Sequence, residues 1–130
     1  MILLDTHALV WYVDKPARLS ARARREIERH AARRELLVAD ISWWEIAMLA
    51  GKRRLVLDRP VRQWLQAVAE LAELQTVGVT PVIAAASAEL AGVMADPADC
   101  IICATAREWD CPLVSRDERM HAVKSVKVIW

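Results

Sequence analysis

Ile2-Leu3-Leu4-Asp5-Thr6 is a short run of apolar residues that ends abruptly at an acid and leads into a helical stretch. Runs of this kind are typical of strands that are buried on both faces, as in a parallel sheet covered by helices. Leu36 to Ala39 and Leu113 to Ser115 repeat the pattern farther along the chain. Short apolar runs that alternate with longer helical segments predict an α/β fold with a central, mostly parallel sheet.

Capping residues and apolar positions at helical spacing predict the other elements. An arginine-rich helix from about Ser20 to Arg34 has Ile27 as its only large apolar residue, so we expect it to lie on the outside. The remaining predicted elements are a helix from Ser42 to Ala50 stopped by Gly51, a helix opened by Pro60, a weak strand from Thr76 to Val79, a helix capped by Thr80 with Pro81, a helix from Pro97 to Trp109 and a strand from Val126 to Ile129.

Length and composition favour one compact domain over residues 1–130. The chain has 130 residues, of which 55% are hydrophobic and 27% are charged, and these proportions argue against disordered, collagen-like and coiled-coil proteins. No apolar run approaches the ~20 residues that span a bilayer, and no basic-then-apolar leader is recognisable. We therefore expect a soluble cytoplasmic protein that has no contact with a membrane.

The charges are distributed unevenly along the chain. The formal net charge of +1 argues against a simple electrostatic binder of nucleic acid. Residues 1–65 nevertheless carry +5 and residues 66–130 carry −4. A basic flank that faces an acidic centre is therefore compatible with the composition.

Four acids fall at the ends of predicted strands or in the first turns of predicted helices: Asp5, Glu45, Asp99 and Asp117. In an open parallel sheet these positions lie along one edge, where ligands bind. Clustered carboxylates repel one another and need a compensating cation, and hard oxygen ligands select Mg²⁺ or Mn²⁺. Ions held in this way can activate water for an in-line phosphoryl displacement, which is the chemistry of a metal-dependent nuclease.

Each of these acids also has a structural interpretation. Ser42-Trp-Trp-Glu45 and Asp96-Pro-Ala-Asp99 match capping boxes at helix N-termini. Asp5 and Asp117 fit ordinary turn positions. Position alone leaves both interpretations open.

The cysteines are predicted to be packing residues. Cys100 and Cys103 have the spacing of a redox or zinc motif, but they lie in an apolar helical run with no second ligand pair. A free cysteine commonly behaves as a small buried hydrophobe.

The chain resembles PIN-domain ribonucleases, specifically VapC-type toxins. The residues that carry the resemblance are Met1-Ile-Leu-Leu-Asp5-Thr-His-Ala-Leu, Ser42-Trp-Trp-Glu45-Ile-Ala, Asp96-Pro-Ala-Asp99 and Leu113-Val-Ser-Arg-Asp117, and together they cover nearly the whole chain. The resemblance implies a three-layer α/β/α domain and Mg²⁺-dependent endonucleolytic cleavage of RNA. It also implies an operon-partner antitoxin of the VapB type that blocks the site.

The same resemblance assigns roles to the four acids. Asp5 and Asp99 would be direct metal ligands, whereas Glu45 and Asp117 would position water or a second ion. All four would form the catalytic acidic group, with Mg²⁺ or Mn²⁺ as the cofactor.

The resemblance also assigns roles to hydroxyl groups. Thr6 and Ser115 would hydrogen-bond ligands or the scissile phosphate, and Asp96 is interpreted as a helix cap rather than a ligand. Two positions depart from the family pattern: Cys100 stands where relatives often have arginine, and Ser115 stands where threonine is more usual.

A basic flank could meet the phosphates of an RNA. Residues 15–34 carry an excess of +6, and a second basic cluster follows the helix that ends near Ala50. An arginine-rich helix is most often a solvated face, but RNA binding would need cationic contacts of this kind. The candidates for such contacts are Arg22, Arg25, Arg29, Lys52, Arg53 and Arg54.

The predicted helix over residues 42–49 is apolar around most of its circumference. Such a helix must be covered on more than one side, because large exposed apolar patches are rare in soluble monomers. Core packing would cover one face. A second subunit in a homodimer or an antitoxin helix would cover the other, unless neighbouring helices cover it all.

Two other functions stay open from the sequence. A non-catalytic interaction module would keep the fold without the chemistry, although all four acids are present. A phosphatase of the haloacid-dehalogenase type would use Asp5 as its nucleophile, but it needs a second aspartate where this chain has His7.

Overall fold

The computed structural model describes residues 1–130 and contains a five-stranded sheet surrounded by seven α-helices. The strands are β1 (Ile2–Leu4), β2 (Leu36–Ala39), β3 (Leu74–Val77), β4 (Leu113–Val114) and β5 (Val128–Ile129). The helices are α1 (Thr6–Asp14), α2 (Ala21–Ala31), α3 (Ile41–Gly51), α4 (Val61–Ala69), α5 (Pro81–Leu90), α6 (Pro97–Glu108) and α7 (Glu118–His121), with a short 3₁₀ turn at Pro16–Arg18.

The sheet is parallel throughout and has the strand order β3-β2-β1-β4-β5. The chain moves from β1 outward to β2 and β3, and then crosses to β4 on the other side of β1. This reversal leaves a crevice beyond the carboxyl ends of β1 and β4, which is where open parallel sheets bind their ligands. The predicted α/β fold is confirmed.

Helices cover both faces of the sheet, as the three-layer prediction requires. Alternate strand residues point to opposite faces, so Leu3 and Leu37 pack with α5 and α6, whereas Ile2 and Leu4 pack with α1 to α4. All four of these side chains are fully buried. Each face of the sheet therefore carries its own buried hydrophobic cluster.

Several element boundaries differ from the sequence predictions. Helix α3 begins at Ile41 and includes Gly51 as its last residue, and the left-handed turn that follows falls at Arg53, with a φ of 56°. Strand β3 lies two residues earlier than predicted, because Leu74 pairs with Leu36 and Val77 with the last residue of β2. The predicted helix up to Arg34 ends at Ala31.

No helix is both long enough and apolar enough to cross a membrane.

Candidate metal centre

The structure brings the four predicted acids into one pocket of about 540 Å³ at the carboxyl edge of the sheet. Asp5 follows β1, Glu45 lies on α3, Asp99 lies on α6 and Asp117 precedes α7. The other residues that line the pocket are Thr6, His7, Trp11, Leu49, Asp96, Arg116, Arg119 and Met120.

Asp5 is held rigidly at the start of α1. One carboxylate oxygen, Oδ1, accepts a hydrogen bond of 2.7 Å from the backbone N–H of Ala8, so Asp5 caps the helix. The side chain is almost fully buried, and burial raises the pKa of Asp5. Hydrogen bonds from the Ser115 hydroxyl and the Ala8 N–H oppose that rise in pKa. Asp5 is therefore both the N-cap of α1 and a carboxylate of the pocket, a structural role that differs from the turn position predicted for it.

Asp99 is a second acid whose ionisation the pocket disfavours. It is 8% exposed, and burial raises its pKa to about 7, with further contributions from the negative charges of Asp96, Glu45 and Asp117. A carboxylate whose pKa is raised by burial and by neighbouring acids is stabilised by a bound cation.

Asp96 was missed as a pocket residue. Its Oδ1 accepts a hydrogen bond of 3.1 Å from the Asp99 backbone N–H, which confirms the predicted helix cap. Its carboxylate also lies with those of Glu45 and Asp99 in a group whose ligand atoms are all within 4.8 Å of one another. Asp96 is therefore both the N-cap of α6 and a carboxylate of the pocket. Asp5 is not part of this closest group of ligand atoms.

The capping box predicted at Ser42 is wrong. Helix α3 begins one residue earlier, with Asp40 at the N-cap position, and Ser42 is fully buried inside the helix. The Thr6 hydroxyl donates a hydrogen bond of 3.0 Å to Ser42 Oγ. Thr6 thus ties α1 to α3, and the side chain of Glu45 stays available to the pocket.

Arg119 is the arginine of the pocket that contacts its acids. Its guanidinium donates to Asp117, with Nη2 at 2.6 Å from Oδ2, and lies 3.5 Å from Asp99 Oδ2. The hydrogen bond from Arg119 lowers the pKa of Asp117. Sequence reasoning did not single out Arg119, although its position two residues after Asp117, in the first turn of α7, places it beside that acid.

Ser115 lies at the end of β4 and is fully buried. Its hydroxyl oxygen accepts a hydrogen bond of 3.0 Å from the Asp117 backbone N–H, which fixes the turn after β4. The same hydroxyl lowers the pKa of the Asp5 carboxyl.

The cysteines contribute no ligands to the pocket. All three are buried, and the Cys100 thiol donates to the Met94 carbonyl oxygen at 3.2 Å. Burial raises the pKa of Cys103 to about 12, which keeps it a neutral thiol. The prediction that Cys100 and Cys103 are packing residues is confirmed.

The predicted basic contacts fall in three places. Arg22, Arg25 and Arg29 are exposed on α2 and line neither the acidic pocket nor the grooves beside it. Lys52 and Arg54 line a groove adjacent to the pocket, next to Glu45 and Asp96. The remaining candidate, Arg53, lines an apolar depression formed by Ala50 to Val61.

Helix α3 is covered on one side only. Ile46 is fully buried and Trp43 is half-buried, with its indole N–H donating to Thr76 Oγ1 at 3.2 Å. Trp44 and Met48 are 56% and 39% exposed. Neighbouring helices therefore do not cover the whole apolar circumference.

Residues 2–126 match the sequence profile of the PIN domain family. Among curated proteins, Ribonuclease VapC22 of Mycobacterium tuberculosis is 45% identical over 122 residues, which cover 93% of this chain and 90% of that protein.

Two solved structures with the same fold align over nearly the whole chain. VapBC2 from Rickettsia felis, bound to a DNA fragment from their promoter, aligns over 99% of this chain and 98% of the matched chain, with a TM-score of 0.71 and 16% identity. FitAcB from Neisseria gonorrhoeae aligns over 100% and 97%, with a TM-score of 0.69 and 19% identity. At these identities the likeness establishes the fold alone.

Proposed function

The chain belongs to the PIN domain family, and on that premise we propose that it is a metal-dependent endoribonuclease, the toxin of a VapBC-type toxin–antitoxin pair. The observation that carries the proposal is the convergence of Asp5, Glu45, Asp99 and Asp117 in one pocket from four separate parts of the chain. The 45% identity to a protein named as a ribonuclease over nearly the full length supports the same activity. The phosphatase alternative is set aside because the family is a different one.

The donor set fits a hard divalent cation. Five carboxylates line the pocket, together with the His7 imidazole and the Met120 thioether, and the group of ligand atoms that lie closest together consists of carboxylates alone. Such a set suits Mg²⁺ or Mn²⁺ better than zinc or copper. We propose Asp5 and Asp99 as direct ligands, with Glu45 and Asp117 positioning water or a second ion. Asp96 joins this set because its carboxylate lies within 4.8 Å of those of Glu45 and Asp99.

When bound, the ion supplies Lewis-acid activation of water and neutralises charge on the phosphoryl oxygens. The chain's own residues fix the geometry. The Ala8 N–H orients the Asp5 carboxylate, and the Ser115 hydroxyl favours its ionised form. The guanidinium of Arg119 holds Asp117 in its ionised form, and Arg116 and Arg119 line the pocket where they can contact phosphate oxygens.

The test compares RNA cleavage by the wild-type chain with that of Asp5→Asn and Asp99→Asn in the presence of Mn²⁺. Asparagine keeps the helix cap at Asp5, so a loss of activity reports on the lost charge rather than on unfolding. Glu70→Gln is the matched control, because Glu70 is an exposed acid at the end of α4. We expect both pocket variants to lose cleavage and the control to keep it. Cleavage that persists in excess EDTA would refute the metal mechanism.

A non-catalytic module is the second candidate. Titration calorimetry with Mn²⁺ distinguishes the two, because a module without a metal site would bind no ion in the wild type. The same titration of Asp99→Asn is expected to show weakened binding.

We also propose that an antitoxin of the VapB type and a second copy of the chain are the protein partners. Trp44 and Met48 are exposed beside Pro97 and Ala98 in a groove of about 240 Å³. Glu45 and Asp96 line both this groove and the acidic pocket, so a partner seated on α3 would lie beside the site. Aromatic and methionine side chains are enriched in such interfaces.

A co-purified complex tests the partner proposal. Trp44→Ala should weaken the complex or the homodimer in light-scattering chromatography, whereas Trp109→Ala, which removes an exposed tryptophan at the end of α6, should not. Equal effects of the two changes would contradict the assignment. An RNA-directed toxin of this kind would act in the cytoplasm.

A further inference from the structure

A second groove, of about 340 Å³, adjoins the acidic pocket. The two share His7 and Trp11, which line both of them. The groove also carries Lys15, Arg18 and Arg54, and no acid lines it. The chain therefore places a cationic surface directly beside its most acidic one.

The three groove cations have no partner within the chain. None of them takes part in an ion pair, and all three are exposed. By contrast, Arg29 Nη2 on α2 lies 2.6 Å from Glu26 Oε2, so an ion pair within the helix already compensates the positive charge of Arg29. The groove thus offers unmatched positive charge to a ligand that brings negative charge.

The Trp11 indole lies between the pocket and the groove, and neighbouring rings hold it in position. It lies one helical turn after His7 on the same face of α1, and the two ring centroids are 5.6 Å apart. The Trp130 ring packs against Trp11 at 5.7 Å. The indole is half-buried, so neighbours hold it in place while part of its surface remains open.

Hydrogen bonds to Asp14 hold the segment that bears Arg54 against α1. Asp14 Oδ1 accepts a hydrogen bond of 2.9 Å from the Trp64 indole N–H, and Oδ2 accepts one of 3.1 Å from the Asp58 backbone N–H. The Arg54 backbone N–H donates to the Leu49 carbonyl oxygen at 2.9 Å. The position of Arg54 is therefore built into the fold and does not depend on a free loop.

We propose that this groove binds single-stranded RNA beside the cleaved bond, with one base stacked on Trp11 and the adjacent phosphates contacting Lys15, Arg18 and Arg54. Aromatic platforms within cationic grooves are the general means of binding single strands, because every base has a π-face and every nucleotide has a phosphate. The proposal rests on the proposed ribonuclease function and adds to it the path of the substrate. It also moves the RNA contact from the arginines of α2 to the residues that adjoin the pocket.

The test separates binding from cleavage by using the Asp5→Asn background. Fluorescence anisotropy would compare a ten-residue oligoadenylate with a ten-residue abasic ribose-phosphate chain, with Mg²⁺ present and a gel to show that the RNA stays intact. We expect the oligoadenylate to bind about tenfold more tightly, in the lower part of the range for stacking of a base on an aromatic ring. Trp11→Ala should abolish the difference, and Trp11→Phe should keep most of it.

Matched controls separate the groove from general effects. Trp109→Ala removes another exposed tryptophan and should leave the preference for bases unchanged. Thermal unfolding of each variant shows whether the fold is kept, and Trp11→Phe keeps the test valid if Trp11→Ala does not fold. An equal affinity of the wild-type groove for the two chains would overturn the stacking assignment.

The salt dependence of binding tests the phosphate contacts. For single strands the slope of log affinity against log salt is about −0.7 for each phosphate neutralised, so a double change of Arg18 and Arg54 to glutamine should reduce the slope by about 1.4. The matched double change of Arg22 and Arg25 to glutamine removes two exposed arginines outside the groove and should leave the slope unchanged.

The two proposals fail in different ways. If the double variant of Arg18 and Arg54 cleaves RNA normally and has an unchanged salt slope, the groove assignment is wrong and the ribonuclease proposal stands. The same conclusion follows if the double variant of Arg22 and Arg25 lowers the slope by as much. Cleavage by Asp5→Asn would refute the metal mechanism while the binding ratio still tests Trp11. An Asp5→Asn chain that binds neither oligonucleotide would overturn the groove, whereas a wild-type chain that cleaves no RNA in Mn²⁺ would overturn the ribonuclease proposal.

Discussion

Replacing Asp99 with asparagine is expected to make the metal-free protein more stable. Asp99 is 8% exposed, and burial together with the charges of Asp96, Glu45 and Asp117 raises its pKa from 3.8 to about 7. Asparagine has nearly the same shape and carries no charge. The change therefore removes a carboxylate whose ionisation the folded state opposes.

The magnitude follows from the shift in pKa. Each pKa unit corresponds to about 1.36 kcal/mol, so a shift of about three units sets an upper limit of about 4 kcal/mol above pH 7. The pocket is open to water, and Arg119 lies 3.5 Å away, so screening reduces this value. Loss of the favourable interaction of an acid with the N-terminus of α6 costs about 0.3–1 kcal/mol. We expect a net stabilisation of about 1–2 kcal/mol at pH 8.

The sign of the pH dependence is fixed by the direction of the shift. Because the folded pKa of Asp99 lies above its unfolded value, the stability contributed by the protonated form is full below about pH 4 and is lost as the pH rises through about 7. The difference between Asp99→Asn and wild type should therefore be near zero at pH 4 and reach its full value above pH 7.

Urea unfolding in EDTA between pH 5 and pH 8 measures this effect, with Glu70→Gln as the surface control. Added Mn²⁺ should reverse the order, since an ion that binds only the folded wild type stabilises it by mass action. A variant no more stable than wild type at pH 8, or a gain that is the same at every pH, would refute the electrostatic account of this pocket.

Three further changes test other parts of the structure. Arg119→Gln removes the cation beside Asp99, so calorimetry should show Mn²⁺ binding that is tighter by up to about fivefold, the equivalent of an exposed ion pair of about 1 kcal/mol; weaker binding would contradict this competition. Asp14→Ala leaves two donors without their acceptor and should lower the free energy of unfolding by about 1–3 kcal/mol, measured in urea. Trp64→Ala should cost about 3–5 kcal/mol in the same measurement because the indole is fully buried, whereas Trp44→Ala should cost far less; similar losses for the two would show that the α3 surface is not free.

The positions of β1 and β2 were predictable because each is a short apolar run that could be buried only within a covered parallel sheet, whereas β3 has a single buried residue and lies two residues earlier than predicted. Leu36 to Ala39 are all buried, and the strand has the predicted bounds. The start of α3 was not predictable in this way, because Ser42 has the chemistry of a helix cap. Its hydroxyl instead accepts from Thr6, a partner 36 residues away. Local sequence shows which side chains can cap a helix, but the tertiary contact decides whether they do.

The same limit applies to the candidate site. Asp5, Glu45, Asp99 and Asp117 could be placed at one edge of the sheet because parallel topology alone brings strand ends and helix starts together. Asp96 was interpreted only as a cap, since a sequence does not show that a capping carboxylate has its second oxygen in a pocket.

The number of basic residues in a segment predicted less about the RNA contact than the positions of those residues in the fold. The arginine-rich segment over residues 15–34 predicted a cationic surface, yet α2 turns its arginines away from the pocket, and only Lys15 and Arg18 of that segment reach the adjoining groove. Arg54 joins them from the segment after α3. A carboxylate pocket repels a polyanion until a cation neutralises it, and a phosphate chain can be held meanwhile only by positive charge next to the acids. The three groove cations supply positive charge at that place. Asp5 caps α1 and Trp11 lies on the same helix, one turn beyond His7, so α1 fixes the distance between one pocket acid and the side chain proposed to stack a base.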